Sequence, residues 1–291
     1  MTVVGVVGAG VMGTGVAQNL AQTGHEVVLV DIDKEALDRS VEQITRACRF
    51  SRLLGGGEVD TDAVLGRITT SADAASLAGV DILIENITEN WDRKRDLYAT
   101  LDAVCRPETV FIVNTSAIPI TTVASATNRP ANVVGVHFMN PVPMKPAVEL
   151  IPGVHTSSDT VERTRNLLTA MGKNAIPVKD SCGFVSNRVL MLTVNEAAFL
   201  VHEGVADAAG VDQVFRECFG HPMGPLETAD LIGVDTILYS VEVLYENYSD
   251  SKYRPCPLLR QMTAAGLHGR KSGRGFYTYD DGGQRVAPAL T

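Results

Sequence analysis

Two residues in this 291-residue chain are well suited to moving a proton: His137 and Glu149, twelve positions apart. A neutral imidazole takes up a proton near neutral pH. A carboxylate on its other nitrogen can fix the ring tautomer and steady the cation that forms. A lone histidine beside a turn is more often structural, so the pair carries weight only if the chain also supplies a substrate and an acceptor.

The second chemical feature opens the chain. Gly8-Ala9-Gly10-Val11-Met12-Gly13 follows the apolar run at residues 3–7, and a helical pattern then leads to a second apolar run at 27–30 ending in Asp31. Strand, glycine turn, helix, strand and acidic residue within about thirty positions is the dinucleotide-binding fingerprint. Gly8 permits the tight turn, Gly10 lets the backbone approach a pyrophosphate, and Gly13 allows close packing of helix on strand. The phosphates would meet free N–H groups at the helix start. Asp31 can accept hydrogen bonds from a ribose 2′-hydroxyl and would repel a 2′-phosphate, which favours NAD over NADP. Asp33 reads as a turn residue or as the cap of the next helix.

The elements that must position these residues follow in order. Residues 34–54 predict one long helix closed by Gly55-Gly56-Gly57, with a short helix at 61–65, a hairpin projecting beside the cofactor fold. Arg46, Arg49 and Arg52 on it form a solvated face or meet a phosphate-bearing substrate tail. Strands are expected at 68–70, 80–84, 110–113, 133–136 and 146–151, and polar residues stand at several of their ends: Glu85, Asn114-Thr115-Ser116 and His137. Open α/β sheets bind ligands at the C-terminal ends of parallel strands, so these residues predict one crevice. A helix at 161–171 and a strand at 176–178 complete this part. Beyond Asp180-Ser181-Cys182-Gly183 the periodicity turns helical, at 186–203, 207–219, 225–248 and 257–265, with a loosely ordered tail after Tyr279. The expected fold class is α/β: a Rossmann-like N-terminal domain at 1–181 and an all-α C-terminal domain at 182–291.

Composition narrows the function. A net charge of -9 argues against nucleic-acid binding, which needs a basic face. No segment has the uninterrupted apolar length of a membrane span, and the glycine-broken start, without a basic leader, does not read as a signal peptide. Five scattered cysteines without a close pair fit reduced thiols, so no metal site and a cytoplasmic location are expected.

Taken together, these residues resemble the 3-hydroxyacyl-CoA dehydrogenase family in its short bacterial 3-hydroxybutyryl-CoA form. The resemblance spans nearly the whole chain and rests on GAGVMG at 8–13, NTS at 114–116, HFMNPVP at 137–143, GFVSNR at 183–188, HPMGPLETADLIGVD at 221–235 and GRKSGRGFY at 269–277. It implies NAD as oxidant, an acyl thioester substrate and a helical C-terminal domain that dimerises. By motif, His137 would be the base that deprotonates the 3-hydroxyl, and Glu149 would orient it. Ser116 and Asn187 would hydrogen-bond the reacting oxygens. Glu89, Lys94, Asn140 and Lys271 match positions that touch the cofactor, with Gly8, Gly10, Val11, Met12, Gly13 and Asp31.

The chain departs from the family pattern near the expected substrate crevice. Asn86 stands where alanine is common, Ala117 where a second serine is frequent, Met139 where phenylalanine is, and Pro146-Ala147 replaces a bulkier pair. Counted without gaps from Asp31, the family's coenzyme A contacts fall on Ala47 and Leu54. These changes resemble dehydrogenases that oxidise a glyceryl group on an acyl carrier protein during hydroxymalonyl or methoxymalonyl extender-unit synthesis. There a buried amide such as Asn86 could select a 2-hydroxyl. Coenzyme A and an acyl carrier protein both stand as carriers at this point. A non-catalytic NAD-binding homologue is the alternative from another class, and the intact His137, Glu149, Ser116 and Asn187 argue against it.

Overall fold

The computed structural model describes residues 2–50 and 59–288. Arg52, Leu54 and the triple glycine at 55–57, which figured in the hairpin and coenzyme A expectations, lie outside the described residues. The chain divides into two compact units, 1–181 and 182–291.

The first unit is built on one eight-stranded sheet in the order β3-β2-β1-β4-β5-β6-β7-β8. Its strands are β1 (Val3–Val7), β2 (Glu26–Val30), β3 (Ile68–Ser71), β4 (Ile82–Glu85), β5 (Val110–Val113), β6 (Val133–His137), β7 (Ala147–Pro152) and β8 (Asn174–Pro177). Runs such as VFIV in β5 are buried on both faces, which only a sheet covered by helices on both sides can accommodate. All neighbouring pairs are parallel except β6 and β7. Strand order reverses between β1 and β4, the switch point at which open α/β sheets bind ligands.

The covering helices are α1 (Val11–Gln22), α2 (Lys34–Phe50), α3 (Thr61–Leu65), α4 (Trp91–Val104), α5 (Ile120–Ala124) and α6 (Ser158–Ala170). Helix α1 begins at Val11, inside the glycine motif, because the glycine turn itself forms its first turn. Gly10 stands at the cap position and no side chain caps the helix. Asp33 does cap α2, its Oδ1 accepting from the Glu35 N–H at 2.9 Å.

The second unit carries α7 (Ser186–His202), α8 (Ala208–Phe219), α9 (Pro225–Ile232), α10 (Val234–Tyr248) and α11 (Pro257–Ala264), and a hairpin of β9 (Tyr277–Tyr279) and β10 (Arg285–Pro288). Two expectations are corrected here. The single helix at 225–248 is two, broken at Gly233, whose φ of 110° no helix accommodates. Among the described residues after Tyr279, those at 285–288 form a paired strand rather than loose chain, so the helical unit carries an added hairpin.

Asp230 anchors that hairpin. Its carboxylate, 1% exposed, accepts from the N–H groups of Phe276 and Tyr277 and from the Tyr279 hydroxyl. Burial pushes its pKa up to about 6 despite those donors. A raised folded-state pKa stabilises the fold below the unfolded value near 4, and that contribution is lost as pH rises through the folded value. The stability of the parent relative to Asp230→Asn should therefore fall by roughly 2–3 kcal/mol between about pH 4 and pH 6. Denaturant melts of both proteins across that range measure it; a pH-independent difference would contradict the assignment.

Candidate active site

Strands β6 and β7 run antiparallel in a register that sets His137 directly opposite Glu149. Directly paired residues project to the same face, so twelve residues of sequence become one side-chain contact. His137 Nδ1 lies 2.8 Å from Glu149 Oε2, and both side chains are buried. With Nδ1–H donating to the carboxylate, the Nε2 lone pair is left as the acceptor. That nitrogen lies 3.2 Å from Ser116 Oγ. A hydroxyl poised on a basic nitrogen marks where a substrate hydroxyl could present its proton.

Ser116 sits in the turn leaving β5, and Glu89 organises that turn. Glu89 Oε1 accepts from the Thr115 hydroxyl and from the N–H groups of Ser116, Ala117 and Ile118, the last three at 3.0, 2.9 and 3.3 Å. Asn114 ties three strand ends together. Its Nδ2 donates to Asn86 Oδ1 at 2.8 Å, and its Oδ1 accepts from the Phe138 N–H at 3.3 Å. Beyond His137 the chain turns through Asn140, which is exposed, and Lys173 staples the segment that follows. The Lys173 ammonium donates to the carbonyls of Val142 and Lys145 at 2.6 and 2.8 Å, and burial lowers its pKa.

The glycine turn behaves as its sequence implies. A Cβ on Gly13 would stand 1.7 Å from the Gly8 carbonyl oxygen, and Gly8 holds φ at +94°. A Cβ on Gly10 would meet nothing within 4 Å, so the backbone there faces open space. That space is a cleft of about 810 Å³ bordered by Gly8, Gly10, Asp31 and Asn86. Val11 is exposed and Met12 half-buried at the start of α1. Asp31 Oδ2 accepts from the Ala9 N–H at 2.7 Å and Oδ1 from Asp33 at 2.9 Å, which locks the carboxylate while each oxygen keeps a second lone pair. An uncapped helix start, an open glycine and an oriented acid fit a dinucleotide with an unmodified ribose.

Two expectations change at this site. Asn86 does not stand ready to read an acyl hydroxyl: its oxygen is taken by Asn114, its amide donates to the Ile84 carbonyl at 3.0 Å, and it borders the dinucleotide cleft. Lys94, expected by motif to touch the cofactor, does not border the cleft. Its side chain is fully buried and donates to both oxygens of Glu85 at 2.8 and 2.7 Å and to the Asn114 carbonyl at 3.3 Å.

Glu85 was expected at the crevice, but its buried pairing with Lys94 and Tyr98 was missed by sequence reasoning. The available signal was the polar end of the apolar strand ILIE, together with a lysine on the apolar stripe Lys94, Tyr98, Leu101 of α4. A charge in such a stripe requires a buried partner. Asn187 and Lys271 belong to the second unit. Asn187 lies half-buried in the first turn of α7. Lys271 donates to Asp235 at 2.7 Å, and the Asp235 carboxyl is lowered because, against the effect of burial, Lys271 and the Thr236 N–H favour its charge. No cluster of metal-ligating residues occurs among the described residues, and among them no helix is long and apolar enough to cross a membrane.

Comparison with known proteins agrees with this geometry. Residues 3–181 match the family model for the NAD binding domain of 3-hydroxyacyl-CoA dehydrogenase, and residues 183–279 match that for its C-terminal domain. The chain is 45% identical over 277 residues to a probable 3-hydroxybutyryl-CoA dehydrogenase of Bacillus subtilis, covering 95% of this chain and 96% of that protein. It is 46% identical over 278 residues to a protein of the same description from Deinococcus radiodurans, covering 94% and 99%. The crystal structure of an (S)-3-hydroxybutyryl-CoA dehydrogenase from Ralstonia eutropha superposes with a TM-score of 0.91 at 41% identity, over 97% of this chain and 100% of that one. With both family models matched in order along the chain and the His137–Glu149 contact formed, this protein belongs to the 3-hydroxyacyl-CoA dehydrogenase family.

Proposed function

We propose that this chain oxidises the 3-hydroxyl of a short 3-hydroxyacyl-CoA to the 3-oxo thioester. The observation that carries the reading is the Glu149–His137–Ser116 chain, standing at the ends of strands whose neighbours form a dinucleotide cleft. NAD, when bound, supplies the acceptor for the hydride leaving C3. Gly8, Gly10, Val11, Met12, Gly13 and Asp31 would hold it, with Glu89 and Asn140; the motif at 269–277 makes Lys271 a further candidate contact. Lys94 supports that set from beneath, through Glu89 and the Asn114 carbonyl.

His137 Nε2 takes the hydroxyl proton as the C–H bond weakens, and Glu149 stabilises the imidazolium that results. Ser116 positions the reacting hydroxyl at the imidazole. Asn187 would hydrogen-bond the thioester carbonyl and polarise it. Because Asn86 borders the dinucleotide cleft, it no longer argues for a hydroxylated acyl group. Coenzyme A is therefore the carrier this reading adopts, in keeping with the names of the relatives. Substrate-dependent NADH formation tests it, with 3-hydroxybutyryl-CoA and a glyceryl-loaded acyl carrier protein as parallel substrates. The CoA thioester should win by at least about tenfold in kcat/KM, a difference of about 1.4 kcal/mol. Preference for the carrier protein would reassign the carrier while leaving the base in place.

The assembly proposed is a homodimer formed through the second unit, where Val189, Val205, Phe219 and Leu231 are each more than half exposed. The five free cysteines are in keeping with a reducing, cytoplasmic setting.

A further inference from the structure

A second acidic residue beneath the site, Glu85, has no part in the proton path yet is bound into it. Glu85 and Lys94 are both fully buried and paired through both carboxylate oxygens. The Glu85 carboxylate also accepts from the Ile87 N–H at 2.6 Å and from the Tyr98 hydroxyl at 3.1 Å. Burial pushes the Glu85 carboxyl up, and Lys94 and these donors oppose it. Taking two charges out of water costs several kcal/mol per ion, and well-packed apolar residues of similar volume often do as well or better for stability. Stability alone is therefore a weak reason for such a pair.

Its surroundings offer a better one. Lys94 has two carboxylates within reach: Glu85 at 2.7 Å and Glu89 at 3.8 Å. Because Glu85 engages the ammonium, Glu89 Oε1 is left to gather the Thr115 hydroxyl and three N–H groups of the turn that carries Ser116. Lys94 also donates to the carbonyl of Asn114, where that turn begins. We infer that Glu85 is a positioning residue: by occupying Lys94 it keeps Glu89 on the 115–118 turn, and so holds Ser116 Oγ at His137 Nε2. Deprived of Glu85, the buried ammonium would draw Glu89 toward itself, and the turn would lose the oxygen that organises it.

This rests on the proposed roles of His137 and Ser116, and its test has one arm that needs no turnover. Glu85→Gln should lower kcat by about 10- to 50-fold while KM for the thioester changes less than about threefold. Placed in a Ser116→Ala background, it should add almost nothing, because both changes break the same contact. Nitrogen NMR of the His137 ring should report the same altered Nε2 environment in Glu85→Gln as in Ser116→Ala, whether or not the substrate has been identified. Multiplicative losses, or a His137 signal unchanged in Glu85→Gln, would overturn the inference. If wild type turns over no 3-hydroxyacyl thioester, the functional reading fails while the NMR arm still decides this one. Should Glu85→Gln not fold, Tyr98→Phe, which removes a single donor to Glu85, carries the test. A several-fold fall in kcat that vanishes beside Ser116→Ala supports it, and an unchanged or additive kcat refutes it.

Discussion

Replacing His137 by glutamine should lower kcat by about 10⁴-fold while leaving the dissociation constant for NAD within about threefold of the parent. The two halves of this expectation come from separate parts of the fold. The imidazole stands at the end of β6, paired with Glu149 and in reach of Ser116. The features expected to hold the dinucleotide, the glycine turn and Asp31, lie on β1, α1 and the end of β2. Glutamine fills similar space and can still hydrogen-bond Glu149 and Ser116, so the strand ends should keep their places. It cannot accept a proton, however, and the alkoxide needed for hydride departure loses its only partner in this scheme. Steady-state kinetics with a fluorescence titration of NADH measures both quantities. Activity within tenfold of the parent would remove His137 from the role of base. An equal loss of NADH affinity would mean that the substitution had disturbed the crevice instead.

The glycine fingerprint was legible in the sequence because its demands are local. Gly8 must adopt a positive φ, Gly13 must lie against the Gly8 carbonyl, and no other residue type satisfies both positions. His137 and Glu149 were legible as a pair by type and spacing, but the means of pairing was not. Sequence reading expected a strand at 146–151 without assigning its direction; β7 returns antiparallel and its register makes the contact. Apolar alternation looks the same for either direction. The Glu85–Lys94 pair was hidden because each member lies on a different element and is explained only by the other. Asn86 shows the opposite error: a change of residue type suggested a change of substrate, while its hydrogen bonds tie it to Asn114 and to the dinucleotide cleft. Gly233 was read through as helix because its neighbours keep helical periodicity on either side. The break becomes explicable once the Val234 N–H is seen to bond the His268 carbonyl, far away in sequence.

Glu149→Gln should lower kcat by about 10³-fold, a loss between that of the missing base and that of a displaced support. The native carboxylate does two things for His137 that an amide separates. It accepts the Nδ1 proton, which reserves Nε2 for the substrate, and it places negative charge 2.8 Å from the ring that becomes positive as the proton arrives. Glutamine can keep the first function through its oxygen but removes the second altogether. If it turns its NH2 to the ring, it makes Nδ1 an acceptor and puts the proton on Nε2, where the base is needed. The contact is buried, so water cannot replace the missing charge and the loss should be large. Register gives a control on this reasoning. Leu150, the neighbour of Glu149, is paired with Val136 and packs in the core. Leu150→Val should therefore cost about 1 kcal/mol of stability and little activity. The informative comparison is the His137 tautomer, read by nitrogen NMR in Glu149→Gln. A ring still protonated at Nδ1 with kcat down a thousandfold assigns the loss to charge, and an Nε2-protonated ring assigns it to orientation. A kcat within about tenfold of the parent would show that Glu149 does neither, and that the antiparallel return of β7 serves only to complete the sheet.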